Sequence, residues 1–255
     1  MSQHVLVTTA ERITTIRIDR PEKRNAITLE MYGALRGALA AASAARDVRA
    51  IVIAGSPTCF TAGNDLNDFV RANQGGAGDL GAPFGFLHAL ATLEKPLIAA
   101  VHGVAIGIGT TLLLHCDLVF AGPSARFKTP FVDLGLVPEA GSSLLLPALI
   151  GERRAAQMLL LGETIDAPTG LAWGLVNEVD ADSDARARAA AIRIAASSPS
   201  AVRATKGLVR RPSRAHVLEA MRIEGEAFTE RLRSPEAMEA LQAAMMKRPA
   251  DFSKF

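Results

Sequence analysis

The chain has 255 residues, 49% of them hydrophobic, and its 28 lysines and arginines nearly balance 26 aspartates and glutamates, so the formal charge is only +2. This length and apolar content predict one large domain or a core with a small appendage, and the small charge gives no electrostatic case for binding nucleic acid. Cys59 and Cys116 are the only cysteines, which argues against a disulfide framework. Residues 1–4 show no basic segment followed by an apolar stretch, so we expect a cytoplasmic protein.

The first elements follow a strand, helix, strand pattern. Residues 13–18 alternate between apolar and polar as a strand does. Thr28 is placed to cap a helix whose apolar residues recur at helical spacing, and we expect this helix to end near Arg46. Residues 50–54 are uniformly apolar, which favours a buried strand.

Residues 97–121 are apolar enough to resemble a membrane span. Histidine, threonine, aspartate and glycine residues interrupt the segment, however, and favour a buried strand at 97–101, a turn, a helix at 110–115 and a second strand at 118–121. We therefore expect a folded strand, turn, helix and strand rather than a membrane helix.

The pattern returns as a helix at residues 167–173 and a strand at 175–179, so the predicted fold is α/β, with short strands alternating with helices. From residue 183 onward strand signals fade, and helical stretches are separated by Ser-Pro and Arg-Pro pairs. A glycine-rich loop at residues 72–83 fits a mobile flap over a site as well as an idle linker.

Glu139, in the segment 127–147, is the best candidate for a catalytic base. Two glycine-bearing turns precede it, at residues 60–66 and 102–109, and each leads from a strand toward a helix. Such turns expose N–H donors that stabilise an anion, as proton removal next to a thioester requires. Taken alone, glycine turns are common in α/β proteins, and Pro138 followed by a glutamate also suits an ordinary helix start.

The order and spacing of these segments resemble the crotonase (enoyl-CoA hydratase/isomerase) superfamily. The similarity rests on residues 62–66, 102–117 and 130–147, in family order, with residues 20–26 matching a first coenzyme A contact loop, and it runs from near residue 5 to the end of the chain. The resemblance implies a crotonase spiral of stacked ββα units in residues 1–195. It also implies a C-terminal helical trimerisation region in residues 196–255.

The resemblance also implies roles for individual residues. The backbone N–H groups of Ala62 and Ile108 would form the oxyanion hole, and a basic side chain near Lys247 or Arg248 would reach the coenzyme A phosphates, from a neighbouring subunit. The remaining substrate and coenzyme A contacts would come from Lys23, Arg24, Ala26, Ala62, Gly63, Asn64, Asp65, Leu66, Gly107, Thr111 and Phe131.

The chain departs from the hydratase pattern at two positions. Family hydratases hold water with two glutamates, and Thr111 and Phe131 stand in their places; neither is a general base at neutral pH. Glu139 matches the single glutamate of peroxisomal-type Δ3,Δ2-enoyl-CoA isomerases. An apolar wall that includes Phe131, Val132 and Leu136 is expected to exclude water and raise the pKa of Glu139.

The resemblance therefore predicts an acyl-CoA enzyme that shifts a Δ3 double bond to Δ2. It needs no metal and no cofactor other than the coenzyme A of its substrate, and it forms a trimer or a dimer of trimers in which the C-terminal helices pack across subunits. Two alternatives are an enoyl-CoA hydratase and a catalytically silent family member that binds acyl-CoA or RNA.

Other reactive residues favour structural roles. His102 and His115 are 13 residues apart and have no carboxylate or cysteine at ligand spacing. Cys59 is expected to be a small buried residue, and Asp65 and Asp68 are expected to be turn and cap residues. A basic stretch is expected to be a solvated helix face, with phosphate contact as the alternative; it comprises Lys206, Arg210, Arg211 and Arg214.

Overall fold

A computed structural model describes residues 2–73 and 81–255 of the chain. Its strands are β1 (Val5–Ala10), β2 (Ile13–Ile18), β3 (Ala50–Ala54), β4 (Leu97–Val101), β5 (Val104–Ile106), β6 (Leu118–Ala121), β7 (Arg126–Lys128), β8 (Ile165–Asp166) and β9 (Glu178–Val179). Its helices are α1 (Leu29–Ala44), α2 (Leu66–Asn73), α3 (Gly81–Thr92), α4 (Ile108–Thr111), α5 (Ser142–Ile150), α6 (Glu152–Leu161), α7 (Ala167–Trp173), α8 (Ser183–Ala196), α9 (Pro199–Arg210), α10 (Arg214–Leu232) and α11 (Pro235–Met245).

The larger sheet has the strand order β1-β2-β3-β4-β6-β9 and is parallel except for the β1–β2 hairpin. Because side chains alternate along a strand, the two faces of β3 enter different cores. Ile51 and Ile53 pack with α1 and α3, whereas Ala50, Val52 and Ala54 pack with the alanines of α8. Burial on both faces explains why the sequence of β3 is uniformly apolar. A smaller sheet, β5-β7-β8, lies beside it and carries the second glycine turn.

The predicted α/β class is confirmed, and the strands predicted at 13–18, 50–54, 97–101 and 118–121 have those bounds. The strand predicted at 175–179 was too long. The amides of Leu175 and Val176 both donate to the carbonyl of Gly170, at 2.9 and 3.3 Å, so the end of α7 takes the hydrogen bonds that a strand would need. The segment predicted as a helix at 110–115 is divided between α4 and a 3-10 helix at Leu112–His115.

The predicted loop at 72–83 falls mostly on residues 74–80, which lie outside the described residues. Its last three residues are not a loop, because α3 begins at Gly81. Pro83 is buried in the first turn of α3, where the missing N–H of proline costs no hydrogen bond. Across the described residues, no helix has the length and apolar character needed to cross a membrane.

The C-terminal helices pack on the body of their own chain. α10 lies against α3 and α5, and α11 lies against α2 and the 3-10 helix Val132–Leu134. Phe228 and Leu241 of these helices share a hydrophobic cluster with Phe69 of α2 and with Phe131. The C-terminal region therefore covers the same part of the molecule in which Glu139 lies.

Candidate active site

Glu139 lies in the short connection that leads into α5. The two residues after it, Ala140 and Gly141, both have left-handed backbone conformations, with φ of 63° and 71°. This turn directs the Glu139 carboxyl inward, where it is 6% exposed and accepts a hydrogen bond from the Thr111 hydroxyl. Glu139, the predicted base, is thus in direct contact with Thr111, which stands at a hydratase glutamate position.

Burial dominates the electrostatics of this carboxyl. It raises the pKa of Glu139 to about 8, the Thr111 hydrogen bond opposes that rise, and the nearby Glu224 carboxylate adds to it. A pKa near neutrality suits a group that must both take and return a proton.

Glu139 lines a cavity of about 860 Å³ between α3 and α10. Its apolar surface comes from Phe84, Leu87, Ala140, Leu218 and Met221. Charged residues of α10 also line it, and the carboxylates among them, Glu226 and Glu230, are exposed. The cavity is therefore an apolar space with one buried carboxyl and charged residues on the exposed surface of α10.

The predicted apolar wall is corrected by this geometry. Phe131 and Leu136 are buried in the cluster shared with α2, α10 and α11, and neither lines the cavity. Val132 is 46% exposed. The apolar groups that line the cavity with Glu139 come instead from two helices far apart in sequence, which local patterns cannot bring together.

The second glycine turn supplies a free backbone donor. Gly107 precedes α4 with φ of 57° and ψ of −119°, a conformation that residues with a Cβ rarely adopt. Ile108 is the first residue of α4, where an N–H has no intrahelical acceptor. No carbonyl of a described loop or strand accepts from it either, so the N–H of Ile108 is available to a ligand, and its role in an oxyanion hole stays a prediction.

The first glycine turn differs from the prediction. The N–H of Ala62 donates to the carbonyl of Arg24 at 2.9 Å, so this group is already engaged and the assignment of Ala62 as a donor is corrected. Two residues on, the N–H of Asn64 has no acceptor among the described residues. The Asn64 side-chain oxygen accepts from the buried Tyr32 hydroxyl at 2.5 Å. Sequence alone does not show which amide of a turn is engaged.

The structure brings the predicted coenzyme A loop against this turn. The amide of Ile27 donates to the Gly63 carbonyl at 2.8 Å, and the amide of Asp65 donates to the Ile27 carbonyl at 2.9 Å. Lys23 and Arg24 are exposed, and Ala26 and Leu66 are partly exposed at the edges of these segments. The predicted contact residues of both segments therefore share one surface.

Asp65 and Asp68 act as caps. Asp65 accepts from the Asn67 amide at 3.0 Å and from Arg20 at 2.7 Å. Burial alone would raise the pKa of Asp65, but these partners outweigh it and the pKa is lowered. Asp68 accepts from the amide of Leu29 at the start of α1, at 2.9 Å. The predicted turn and cap roles are confirmed.

Cys59 and His102 lie in structural contacts. Cys59 is buried, its thiol donates to the Arg24 carbonyl, and burial raises its pKa, so it is not an activated nucleophile. His102 contacts Asp184 at 2.9 Å and Ser183 at 2.9 Å, which ties the second turn to α8. No group of three histidine, cysteine, aspartate or glutamate side chains suited to a metal occurs among residues 2–73 and 81–255.

His115 has a role that the sequence did not indicate. It is buried, and burial lowers its pKa to about 4, so the ring is neutral and its Nε2–H donates to the Ala140 carbonyl at 2.7 Å. The ring therefore supports the turn that carries Glu139. A neutral buried histidine agrees with the predicted core role, but the contact with Ala140 is visible only in the fold.

Part of the predicted basic helix face is buried. Lys206 is 8% exposed and contacts Asp117 at 2.7 Å, while Arg210 contacts the same carboxylate at 2.9 Å. The prediction of a solvated face is wrong for these two residues, because Asp117 lies under α9, and it holds for the exposed Arg211 and Arg214.

At the C-terminus, Arg248 contacts Glu239 of its own chain at 2.6 Å. Lys247 is exposed. A contact of either side chain with coenzyme A phosphates stays a prediction.

Comparison with known proteins gives one family. The enoyl-CoA hydratase/isomerase family model matches residues 8–254. Enoyl-CoA delta isomerase 2 of Rattus norvegicus is 35% identical over 97% of this chain. The match covers 65% of the length of that relative. The 2,3-dehydroadipyl-CoA hydratase of Escherichia coli (strain K12) is 34% identical over 97% of this chain and 98% of its own length.

Solved structures agree with the fold and the family. An enoyl-CoA hydratase/isomerase from Pseudoalteromonas atlantica T6c has a TM-score of 0.92 and 38% identity, covering 98% of this chain and 100% of that one. The predicted crotonase fold is thereby confirmed. Relatives of similar identity bear the names of an isomerase and of a hydratase, so identity alone does not separate the two reactions. The chain belongs to the enoyl-CoA hydratase/isomerase family.

Proposed function

We propose that this chain is an enoyl-CoA isomerase that moves a double bond from C3 to C2 with Glu139 as its proton carrier. The observation that carries the proposal is the pairing of Glu139 with Thr111 at the buried side of an apolar cavity. One carboxylate suffices for this reaction, because the base that takes a proton from C2 returns it to C4 and is regenerated.

The proton transfer requires hydrogen-bond donors that stabilise the negative charge developing on the thioester oxygen. The N–H groups of Ile108 and Asn64 have no acceptor of their own in the described part of the chain, and each follows a glycine of one of the two turns. Backbone donors of this kind stabilise an enolate without reorganisation during the reaction. We assign both groups to the proposed oxyanion hole, with Asn64 in place of Ala62.

The proposed substrate has two parts with different surroundings. Its coenzyme A portion would follow the exposed segment from Lys23 to Ala26 and the neighbouring Gly63–Leu66 turn. Its acyl chain would enter the cavity between α3 and α10, where Phe84, Leu87 and Met221 offer an apolar surface. An apolar acyl chain gains about 0.8 kcal/mol for each CH₂ group buried.

Hydration is the second candidate, and the hydratase relative from Escherichia coli favours it. The contacts at Glu139 argue against it. Thr111 gives that carboxyl one hydroxyl partner, and the nearby Glu224 carboxylate already accepts three hydrogen bonds from Gly141 and Ser143. Neither group is placed to share a water with Glu139 as a second base.

The two candidates are separated by assaying the purified protein with a 3-enoyl-CoA and with a 2-enoyl-CoA of equal chain length. We expect isomerisation of the first to be much faster than hydration of the second. Faster hydration would reject the isomerase. Acyl-CoA binding with turnover of neither substrate would favour the catalytically silent alternative.

A further inference from the structure

Glu224 is a second buried carboxylate beside Glu139, and the proposed proton transfer does not use it. It lies on α10 and is 6% exposed. One of its oxygens accepts from the Gly141 amide at 2.6 Å. The other accepts from the Ser143 amide at 2.9 Å and from the Ser143 hydroxyl at 2.5 Å. Both oxygens of Glu224 are therefore occupied by the start of α5.

These contacts join α10 to the turn that carries the proposed base. Gly141 directly precedes α5, and Ser143 lies in its first turn, where backbone N–H groups lack intrahelical acceptors. A carboxylate at this position satisfies those donors and interacts favourably with the helix dipole. Because Gly141 follows Glu139 by two residues, the contact that fixes the start of α5 also fixes the turn.

Gly141 packs closely against α10. A Cβ at this residue would lie 3.3 Å from a methyl of Val217 and 3.4 Å from Met221. Met221 also lines the acyl cavity. The same helix thus supplies part of the cavity surface and the carboxylate that holds the base.

Burial is the largest cause of the raised pKa of Glu139, and the ionised Glu224 raises it further. Burial also raises the pKa of Glu224 itself, and the hydrogen bonds from Gly141 and Ser143 oppose that rise. Two other titratable groups beside the turn, His115 and Tyr32, carry no charge near neutral pH. Burial lowers the pKa of His115 to about 4, and burial raises the pKa of Tyr32 well above its usual value. The charged Arg222 of α10 is paired with carboxylates of its own helix.

We infer that Glu224 is a positioning residue for the proposed isomerase: through Gly141 and Ser143 it holds the Glu139 turn against α10, with its carboxylate beside the base. The inference rests on the proposed function, because its readout is isomerase turnover. It assigns no proton transfer to Glu224 itself.

The test compares Glu224→Gln and Glu224→Asp with the unsubstituted protein, and uses Glu219→Gln on the same helix as the control. A glutamine presents an NH₂ group to one set of donors and loses at least one contact. Since a misplacement of about 1 Å can cost about 100-fold in rate, we expect kcat to fall by about tenfold or more with KM nearly unchanged. The control removes an exposed ion pair and should leave kcat unchanged.

The pH profile separates positioning from simple structural support. Removing the negative charge in Glu224→Gln lowers the pKa of Glu139, so the rise of kcat/KM with pH should move to lower pH. Glu224→Asp keeps the charge but withdraws the carboxylate, so its kcat should fall with no such shift. A fall in kcat for Glu224→Gln with an unshifted profile would reduce Glu224 to a helix cap and overturn the inference.

The remaining outcomes are equally decisive. If the unsubstituted protein is active and Glu224→Gln has the same kcat, the positioning role is rejected and the proposed function is not. An inactive unsubstituted protein rejects both. If Glu224→Gln does not fold by circular dichroism, Glu224→Asp decides alone: reduced kcat at unchanged KM supports the inference, and unchanged kcat rejects it.

Discussion

At Glu139, burial and hydrogen bonding act in opposite directions on one carboxyl. Burial raises its pKa to about 8, and the Thr111 hydroxyl, which donates to the ionised form, limits that rise. The residue at a hydratase glutamate position thus takes a different part here. In the proposed isomerase it orients the base and lowers the pKa of that group, rather than holding water.

Thr111→Val should make Glu139 harder to ionise. Because only ionised Glu139 accepts the C2 proton, kcat/KM of the unsubstituted protein should rise with pH through about 8. Loss of the hydroxyl should move that rise to higher pH, whereas Thr111→Ser should leave it in place. The pH dependence of 3-enoyl-CoA turnover measures both. A rise that does not move in Thr111→Val would show that the hydroxyl has no effect on the base.

The raised pKa of Glu139 also predicts how the stability of the fold depends on pH. The pKa of Glu139 is raised in the folded state, so the stability associated with its protonated form is present below about 4.5 and is lost as pH rises toward about 8. Glu139→Gln removes the buried charge. The variant should therefore melt at a higher temperature than the unsubstituted protein at pH 9, and the difference should be smaller at pH 5. If calorimetry gives the same difference in melting temperature at pH 5 and at pH 9, the burial argument is contradicted.

At the scale of elements, two strand-to-helix turns carry the proposed oxyanion donors. Ile108 is buried and begins α4, so proline at this residue removes the N–H while suiting a first helical position. Ile108→Pro should lower kcat by about 10² to 10³. Ile108→Val keeps the N–H and most of the buried side chain, and it is the matched control. A folded Ile108→Pro protein with normal turnover would place the donor elsewhere.

Local patterns predicted several of the elements that are long or buried on both faces, although the 12-residue helix α3 was not among them. β3 and β4 are continuous apolar runs, and Thr28 caps α1 by accepting from the Met31 amide. Strands β5, β7 and β8 have two or three residues each, too few for a period to show. Helix α5 was not predicted because its apolar residues cover every side and Pro147 lies inside it.

The residues of the candidate site also fall into two groups, those that local motifs predict and those that they do not. Glu139 and Ile108 lie in short motifs that can be aligned with those of the family. Which amide of the first turn is engaged depends on the Arg24 carbonyl, 38 residues before Ala62, and the contact between Gly141 and Glu224 spans 83 residues. Such pairs are set by how helices pack, and no local signal reports them.

At the scale of the whole molecule, the C-terminal helical region is joined to the central sheet where α9 contacts Asp117. This carboxylate accepts from the Leu97 amide at 2.8 Å and from Lys206 and Arg210 of α9. Arg210 also donates to the carbonyl of His115, which supports the Glu139 turn. A trimer in which these helices meet other subunits stays a prediction.

Asp117→Ala should destabilise the fold, because it leaves Lys206 buried without its partner. Loss of one member of a buried pair costs about 3 to 5 kcal/mol, and the lower figure suits this partly exposed carboxylate. Urea unfolding measures the change in the free energy of unfolding. Glu219→Ala breaks an exposed pair and should leave it nearly unchanged. Equal effects of the two substitutions would show that Asp117 does not join the helices to the sheet.

The central claim is that Glu139 carries the proton, and replacing its charge tests it most directly. Glu139→Gln keeps the size of the side chain and can still accept from Thr111, but it cannot act as a base. Measured with a 3-enoyl-CoA, its kcat should fall by about 10² to 10⁴ while calorimetric affinity for the acyl-CoA product is retained. Turnover near that of the unsubstituted protein, in a folded variant that still binds acyl-CoA, would contradict the account.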